Sequence, residues 1–483
     1  MKRFNIVPRP NSIKNLGGYS ACRSIKKELI SDIALGDEGY RLTVEKNSAL
    51  LEANTEQGFF YGEKTFEQLS FCGKIPCAVI EDKPRFTYRG FMVDSARHMQ
   101  TVDELKKLID AAALLKFNTL HWHLSDDQGF RIESEKYPLL NEKGSWRKGD
   151  DFGARHTDIP YGGYYTKAEI RDIVSYCSER FIEVIPEIDI PGHTTAIIHS
   201  YPHLSCKKEE IAVKTKQGIF DDILCAGDSR TLDFLFELLE EVVELFPGER
   251  FHIGGDEAPK KRWEECELCK SKQLELGLDS PEQLQGWLTA EITKFLEEKG
   301  KKVSVWNESL AAGNLPEGIL VQRWMDPKNK STIWANRANY IINSDFYHYY
   351  CDYPYHMTPL KKTYNYSPIP KGVAPIMEKY VLGIECPMWT EYIYTFDWFC
   401  YMAFPRFAAV AERAWTIEAR CDHNGFCERF EALMPLLRSM GINPAPSYEW
   451  NPTPGRRLAG TLGFFKDKID LKTITNSLNS QKN

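Results

Sequence analysis

The sequence predicts an α/β protein built on a (β/α)8 barrel, with a small α+β unit ahead of it. Two observations predict the barrel. From about residue 86 onward, eight short apolar runs alternate with helical segments, the rhythm of repeated βα units. Each of those runs also ends in polar or aromatic residues, as expected where the C-terminal strand ends of a barrel form a site. A third observation separates the first 85 residues: their pattern is different, and Glu81-Asp82-Lys83-Pro84 reads as a hinge.

In the leading unit (1–85), Tyr40, Leu42 and Val44 alternate at period two, a half-buried strand. Phe59, Phe60, Phe66 and Leu69 follow with helical spacing. In the barrel (86–420), the expected strands are 90–93, 119–123, 183–186, 251–253, 303–306, 320–324, 340–342 and 381–384. Helices between them have marked starts. Thr101-Val-Asp-Glu104 and Thr166-Lys-Ala-Glu169 are capping boxes, and Ser280-Pro-Glu-Gln283 places proline at the first helical position. A doubly wound open sheet is the structural alternative, but no glycine-rich phosphate turn follows the first strand. The remainder (421–483) holds an amphipathic helix through Phe426, Phe430, Leu433 and Leu437, with Pro435 as a point of kinking or breakage. The tail after it either wraps the barrel or is partly disordered.

Composition narrows the class. A chain of 483 residues, 42% apolar and 27% charged, is globular, with room for two or three units. Its net charge of -7, evenly mixed, gives no basic surface for nucleic acid. No run approaches a membrane span, and Pro8 and Pro10 stand where a leader would need an apolar stretch. Thirteen cysteines without framework spacing favour a reducing, cytoplasmic setting. Cys266-Glu-Leu-Cys269 is the one C-x-x-C, and no second pair follows it, so two packing thiols and no metal are expected there.

The chemistry collects at the strand ends. In order they carry Arg97, Asp126, His193, Asp256-Glu257, Trp306-Asn307-Glu308, Trp324, Tyr350 with Asp352, and Trp389 with Glu391. His121 and His123 share a strand face and could be metal ligands or, more plainly, a buried structural pair. Gly254-Gly255 lets a ligand approach the backbone beside two carboxyls. An ionised carboxylate next to a carboxylic acid holds the latter's proton, which suits a general acid acting on a glycosidic oxygen. Adjacent carboxyls cannot flank one anomeric carbon from opposite faces, however, as an ordinary retaining pair must. The nucleophile therefore comes either from a distant carboxylate such as Glu308 or Glu391, or from the substrate.

The runs HIGGDEAP, DSARHM, LHWHLSDDQGFRIE, PEIDIPGH and CPMWTE, in this order, resemble the family-20 glycoside hydrolases, the β-N-acetylhexosaminidases. The likeness covers about residues 86–420, and the leading unit is similar to the small domain preceding the barrel in that family. It implies exo-hydrolysis of terminal β-linked GlcNAc or GalNAc from an oligosaccharide or glycoconjugate, with retention and without cofactor. The 2-acetamido oxygen would attack the anomeric carbon to give an oxazolinium intermediate. By the same likeness Glu257 is the acid and then the base, and Asp256 orients the acetamide. Tyr350 would hold the acetamide oxygen, with Trp306, Trp324 and Trp389 as aromatic walls. Arg97, Asp352 and Glu391 would bind hydroxyls, and Asp126 with His193 would support the acid. Two rivals stand beside this reading: a conventional retaining β-glycosidase using Glu308 and Glu391, and a non-catalytic sugar-binding barrel.

Overall fold

The computed structural model describes residues 4–71, 73–153 and 155–468. Eight parallel strands close on themselves: Tyr88–Asp94, Thr119–Asp126, Glu183–Ile188, Arg250–His252, Lys302–Trp306, Leu320–Arg323, Ile341–Asn343 and Val381–Cys386. The last pairs with the first (Gly383 opposite Tyr88), and the second with the third (Glu183 opposite Thr119), so the ring has no open edge. All eight expected strands are present, five of them one to three residues longer than the apolar run and the other three within one residue of it at each end. The open-sheet alternative is excluded by this closure.

Helix starts are where the capping chemistry puts them. Thr101 and Thr166 each close a reciprocal capping box with Glu104 and Glu169, ahead of helices Val102–Leu114 and Lys167–Ser178. Ser280 caps helix Pro281–Glu298 by accepting the Gln283 N–H. Their apolar faces (Leu105, Leu108 and Ile109; Ile170, Ile173 and Cys177) pack on the outside of the strands. Helix His423–Ser439 runs through Pro435 without a break in its assignment, burying Phe426, Phe430, Leu433 and Leu437. A further helix, Pro454–Lys468, follows, and the tail from residue 469 lies outside the described residues.

The leading unit is a five-stranded sheet over helix Glu56–Ser70. Strand Tyr40–Val44 buries alternate residues as its period demands, while the strands at 12–20, 26–29, 49–53 and 75–82 were not marked by clear alternation. This unit is fastened to the barrel by a buried charge. The Lys116 ammonium lies 3.1 Å from Asp82, donates to Tyr40 Oη at 2.9 Å, and sits over the Trp415 ring. Trp415 Nε1 donates to the same Asp82 carboxylate at 2.8 Å. Removing one partner of such a pair strands a buried charge, a loss on the order of 3–5 kcal/mol.

The barrel interior departs from the expected apolar filling. Glu187 and Glu385, both fully buried, meet three histidines. His121 lies 3.0 Å from Glu385 and 3.2 Å from Glu187, His252 lies 2.9 Å from Glu187, and His123 is bonded to Glu187 and, at 2.8 Å, to Asp126. His121 and His123 are therefore partners of carboxylates in the described structure. Burial works against the His121 imidazolium, but the two glutamates outweigh it and push its pKa up to about 9. Burial likewise opposes ionisation of Glu187, yet the imidazoles hold it well below the usual carboxylate range.

Candidate active site

Directly above this network the strand ends open into a cavity of about 740 Å³. Ten of the eleven residues to which the family likeness gives a role line it: Arg97, Asp126, His193, Asp256, Glu257, Trp324, Tyr350, Asp352, Trp389 and Glu391. The eleventh, Trp306, lies beneath. It is 1% exposed, its indole N–H is given to Glu187 at 2.7 Å, and its ring sits 6.0 Å from that of Trp389. Trp306 thus links the pocket wall to the charged floor.

The turn after the fourth strand explains the two glycines before the carboxyl pair. Gly254 and Gly255 have φ of +64° and +95°, and a Cβ on Gly254 would fall 1.7 Å from the Asp189 carboxylate. On Gly255 it would meet Ser309 Oγ at 2.4 Å. These glycines are needed for backbone conformation and for close packing of Asp189 and Ser309; neither lines the cavity, which corrects the reading that they admit a ligand. Gly255 N–H donates to Asp189 at 2.9 Å.

Glu257 itself has a φ of +42°, a left-handed conformation unfavourable for a residue with a Cβ. Its backbone N–H is held at 2.9 Å by the Glu308 carboxylate. His193, also left-handed at φ +52°, approaches from the loop after the third strand. Its Nε2 is 3.5 Å from Glu257 Oε2, and its Nδ1 is 3.1 Å from Asp126 and 3.3 Å from Asp127. Two neighbouring strained backbones pointing at one carboxyl are the mark of a site whose surroundings hold it in place.

The electrostatics divide the pocket's carboxyls. Burial pushes Asp256 up to about 6; the charge of His193 opposes this and that of Glu257 adds to it. Burial, with the charges of Asp256 and Glu257, pushes Glu308 up to about 8. Asp352 is raised well above the carboxylate range by burial and by Glu391. Asp189 is raised likewise by burial and by Asp256. Asp126 is the exception. Burial opposes its charge too, but Arg97 and His193 outweigh it and keep Asp126 ionised. His193 in turn, though buried, is held well above its usual pKa by Asp126, Asp127 and Glu257.

Arg97 donates Nε to Gln128 at 2.8 Å and one terminal nitrogen to Asp94 at 3.2 Å, and its other terminal nitrogen forms ion pairs with Asp126 at 2.7 Å and Glu391 at 3.8 Å. Two of its five N–H groups are in these hydrogen bonds, so donors remain for a ligand. Its guanidinium lies over the Trp389 ring at 5.1 Å. Trp324 stacks on Tyr350 with centroids 6.2 Å apart, and the Tyr350 hydroxyl is hydrogen-bonded to Trp389.

Several pocket atoms are buried with no hydrogen-bond partner among the described residues. They are the acceptors Asp256 Oδ1, Asp352 Oδ1 and Gln217 Oε1 and the donor Trp324 Nε1. A buried polar atom left unpaired costs about 1–3 kcal/mol, so the cavity wall carries polar groups that its own residues do not satisfy. Glu308, by contrast, is turned away from the cavity and spent on the Glu257 backbone.

Comparison with known proteins agrees with this geometry. The model of glycosyl hydrolase family 20, catalytic domain, matches residues 86–418, and that of the family's domain 2 matches residues 21–83. The chain belongs to glycosyl hydrolase family 20. A beta-hexosaminidase of Akkermansia muciniphila is 35% identical over 483 residues, covering 93% of this chain and 95% of that protein. A beta-hexosaminidase of Porphyromonas gingivalis is 37% identical over 434 residues, covering 85% of this chain; the chain spans 55% of that longer protein. Among solved structures, the family-20 exo-β-N-acetylglucosaminidase of Vibrio harveyi in complex with N-acetylglucosamine superposes with a TM-score of 0.82. It is 28% identical, over 92% of this chain and 78% of its own.

Family-20 membership was legible before the structure, but parts of the site were not. Asp189 stood in a quoted motif without a role; its burial against Asp256 gives it one. Gln217 comes from a long loop with no motif, and Phe465, on the cavity rim, comes from the last helix. No C-x-x-C follows Cys266 and Cys269, as the sequence reads; two earlier cysteines, Cys206 and Cys225, lie with their sulfurs close to both.

Proposed function

We propose that the pocket binds a terminal β-linked N-acetylhexosamine with its acetamide folded between Asp256 and Tyr350, and that Glu257 is the proton donor. The chain is a glycoside hydrolase of the β-N-acetylhexosaminidase class, retaining and substrate-assisted, as its family is. What supports the residue roles is Asp256 on the cavity wall, where its carboxylate can accept from a ligand donor, beside Glu257, a carboxyl that reaches solvent. The acetamide N–H is such a donor.

The steps then follow from position. The acetamide oxygen bonds to the anomeric carbon from one face while the glycosidic C–O bond breaks on the other, its oxygen taking the Glu257 proton. Positive charge appears on the acetamide nitrogen as this happens. Asp256, ionised above pH of about 6, accepts the N–H and stabilises that charge. Tyr350, donating to the acetamide oxygen, fixes the attack angle against the Trp324 and Trp389 faces. An oriented internal nucleophile of this kind lowers a barrier by roughly 7–11 kcal/mol. Water then loses a proton to Glu257 and attacks the anomeric carbon, reopening the ring with retention. His193, charged and backed by Asp126, stays beside Glu257 through both proton transfers. Asp352, Glu391 and the spare Arg97 donors meet the sugar hydroxyls.

The conventional two-carboxylate rival needs Glu308 in the cavity, whereas Glu308 holds the Glu257 backbone outside it. Twelve described cysteines are free thiols, and no helix among the described residues is long and apolar enough to cross a membrane. The thiols support the cytoplasmic reading. The test is a matched set of nitrophenyl glycosides. Turnover of the β-N-acetylglucosaminide and β-N-acetylgalactosaminide should exceed that of the β-glucoside by more than about 10³-fold, in keeping with the loss of an internal nucleophile. Equal turnover on the glucoside would refute substrate assistance.

A further inference from the structure

Away from the sugar pocket, four cysteines converge from two loops. Cys206 and Cys225 lie in the long segment after the third barrel strand, drawn together by an isolated antiparallel bridge between Ser205 and Leu224 and by the Cys225 N–H donating to Leu204 at 2.8 Å. Cys266 and Cys269 lie after the fourth strand, at the cap and the third residue of helix Glu267–Glu275, one turn apart on one face. All four sulfurs fall within 4.8 Å of one another. Cys225 is 3.8 Å from Cys266 and 3.6 Å from Cys269, and Cys206 is 3.8 Å from Cys269.

These spacings discriminate between the ways thiols can meet. A disulfide needs sulfurs at about 2.05 Å, and none of the four is so bonded. Four sulfurs around one tetrahedral ion with bonds of about 2.3 Å lie about 3.8 Å apart, close to the 3.6–3.8 Å of these three pairs. Simple packing does not require four thiols from two separate loops to share one point. The surroundings are built for close approach as well. A Cβ on Gly227 would come within 2.2 Å of the Leu268 backbone, so the Cys225 loop is pressed on the helix start, and the Gly227 N–H is hydrogen-bonded to the Cys225 sulfur. The N-terminal end of a helix also favours thiolate over thiol.

We propose that Cys206, Cys225, Cys266 and Cys269 form a tetrahedral structural zinc site. With four protein ligands it has no open position and takes no part in hydrolysis. It ties the loop after the third strand to the helices after the fourth. The first carries Gln217 to the pocket and also holds the Lys216 carbonyl that accepts from Gln128, a partner of Arg97. The second follows directly on Asp256-Glu257. The ion would thus fix, from behind, two loops that meet at the acid.

The test is elemental analysis of the full chain purified from zinc-containing medium without chelator. One equivalent of zinc per chain, with four sulfurs at about 2.3 Å in its X-ray absorption fine structure, is expected. Cobalt(II) refilling should give the intense visible bands of a tetrathiolate. Cys206→Ser combined with Cys269→Ser should abolish stoichiometric zinc, while the control Cys22→Ser keeps it. Stripping zinc from the wild-type chain with a mercurial and chelator should lower the thermal midpoint and open the 201–228 loop to protease. Should the double variant fail to fold, the wild-type metal content and sulfur shell still decide. A metal-free chain, an iron centre, a non-sulfur shell, or disulfides among these four residues would overturn the proposal.

Discussion

Two sets of buried acidic groups lie one above the other in this barrel, and the same burial leaves them in opposite states. Below, Glu187 is surrounded by His121, His123 and His252, each within about hydrogen-bond reach, and is held well below the usual carboxylate range. Above, Asp256, Asp352 and Asp189 have burial but too few partners, and their pKa values rise. Desolvation is the common cost. Partner number decides its outcome, and the protein has left partners out where a substrate is to supply them.

The comparison fails first if Glu187 proves dispensable. Glu187→Gln should remove about 3–5 kcal/mol of stability, because His123 and the indole of Trp306 lose their anion, and chemical denaturation would measure it. The sign reverses in the upper layer. Asp256 titrates near 6 when folded and near 3.9 when unfolded, so the folded state holds its proton more tightly. Its contribution to stability is full below pH of about 4 and is lost as pH rises through about 6. Asp256→Asn should therefore gain on the order of 1–3 kcal/mol at neutral pH while turnover falls. A destabilised Asp256→Asn would place that residue with the lower layer.

The same titration shapes the pH profile. Asp256 must be ionised to work, so wild-type kcat should show an acid limb near pH 6 that vanishes in Asp256→Asn. An unchanged limb in that variant would assign it to another group. The smallest effect concerns the link between layers: Trp306→Phe removes one hydrogen bond to Glu187 and should cost about 1 kcal/mol in the same denaturation assay.

Most of the scaffold was legible because its signals are local. Capping boxes, strand runs and the residues at strand ends each lie within a few positions of one another. What was not legible depends on distance in sequence. Glu308 read as one carboxylate of a conventional retaining pair, and only the fold shows its carboxylate bound to the Glu257 backbone. Gly254 looked like room for ligand and proved to be room for Asp189. The polar barrel interior was hidden because Glu187 and His121 sit on strands that otherwise read as apolar. Cys206 and Cys225 fell outside any motif because they precede their partners and are themselves separated.

The central claim, that Glu257 donates the proton and Asp256 steers the acetamide, is tested most directly by varying the leaving group. Glu257→Gln should lose about 10²–10⁴-fold in kcat/KM on a β-N-acetylglucosaminide with a poor leaving group, yet recover most of that kcat/KM with dinitrophenolate, which departs without an acid, while its kcat stays low because water attack still lacks the base. Asp256→Asn should lose similar amounts on both substrates. The account is contradicted if Glu257→Gln is impaired equally in kcat/KM on both, or if Asp256→Asn is the variant that the better leaving group rescues.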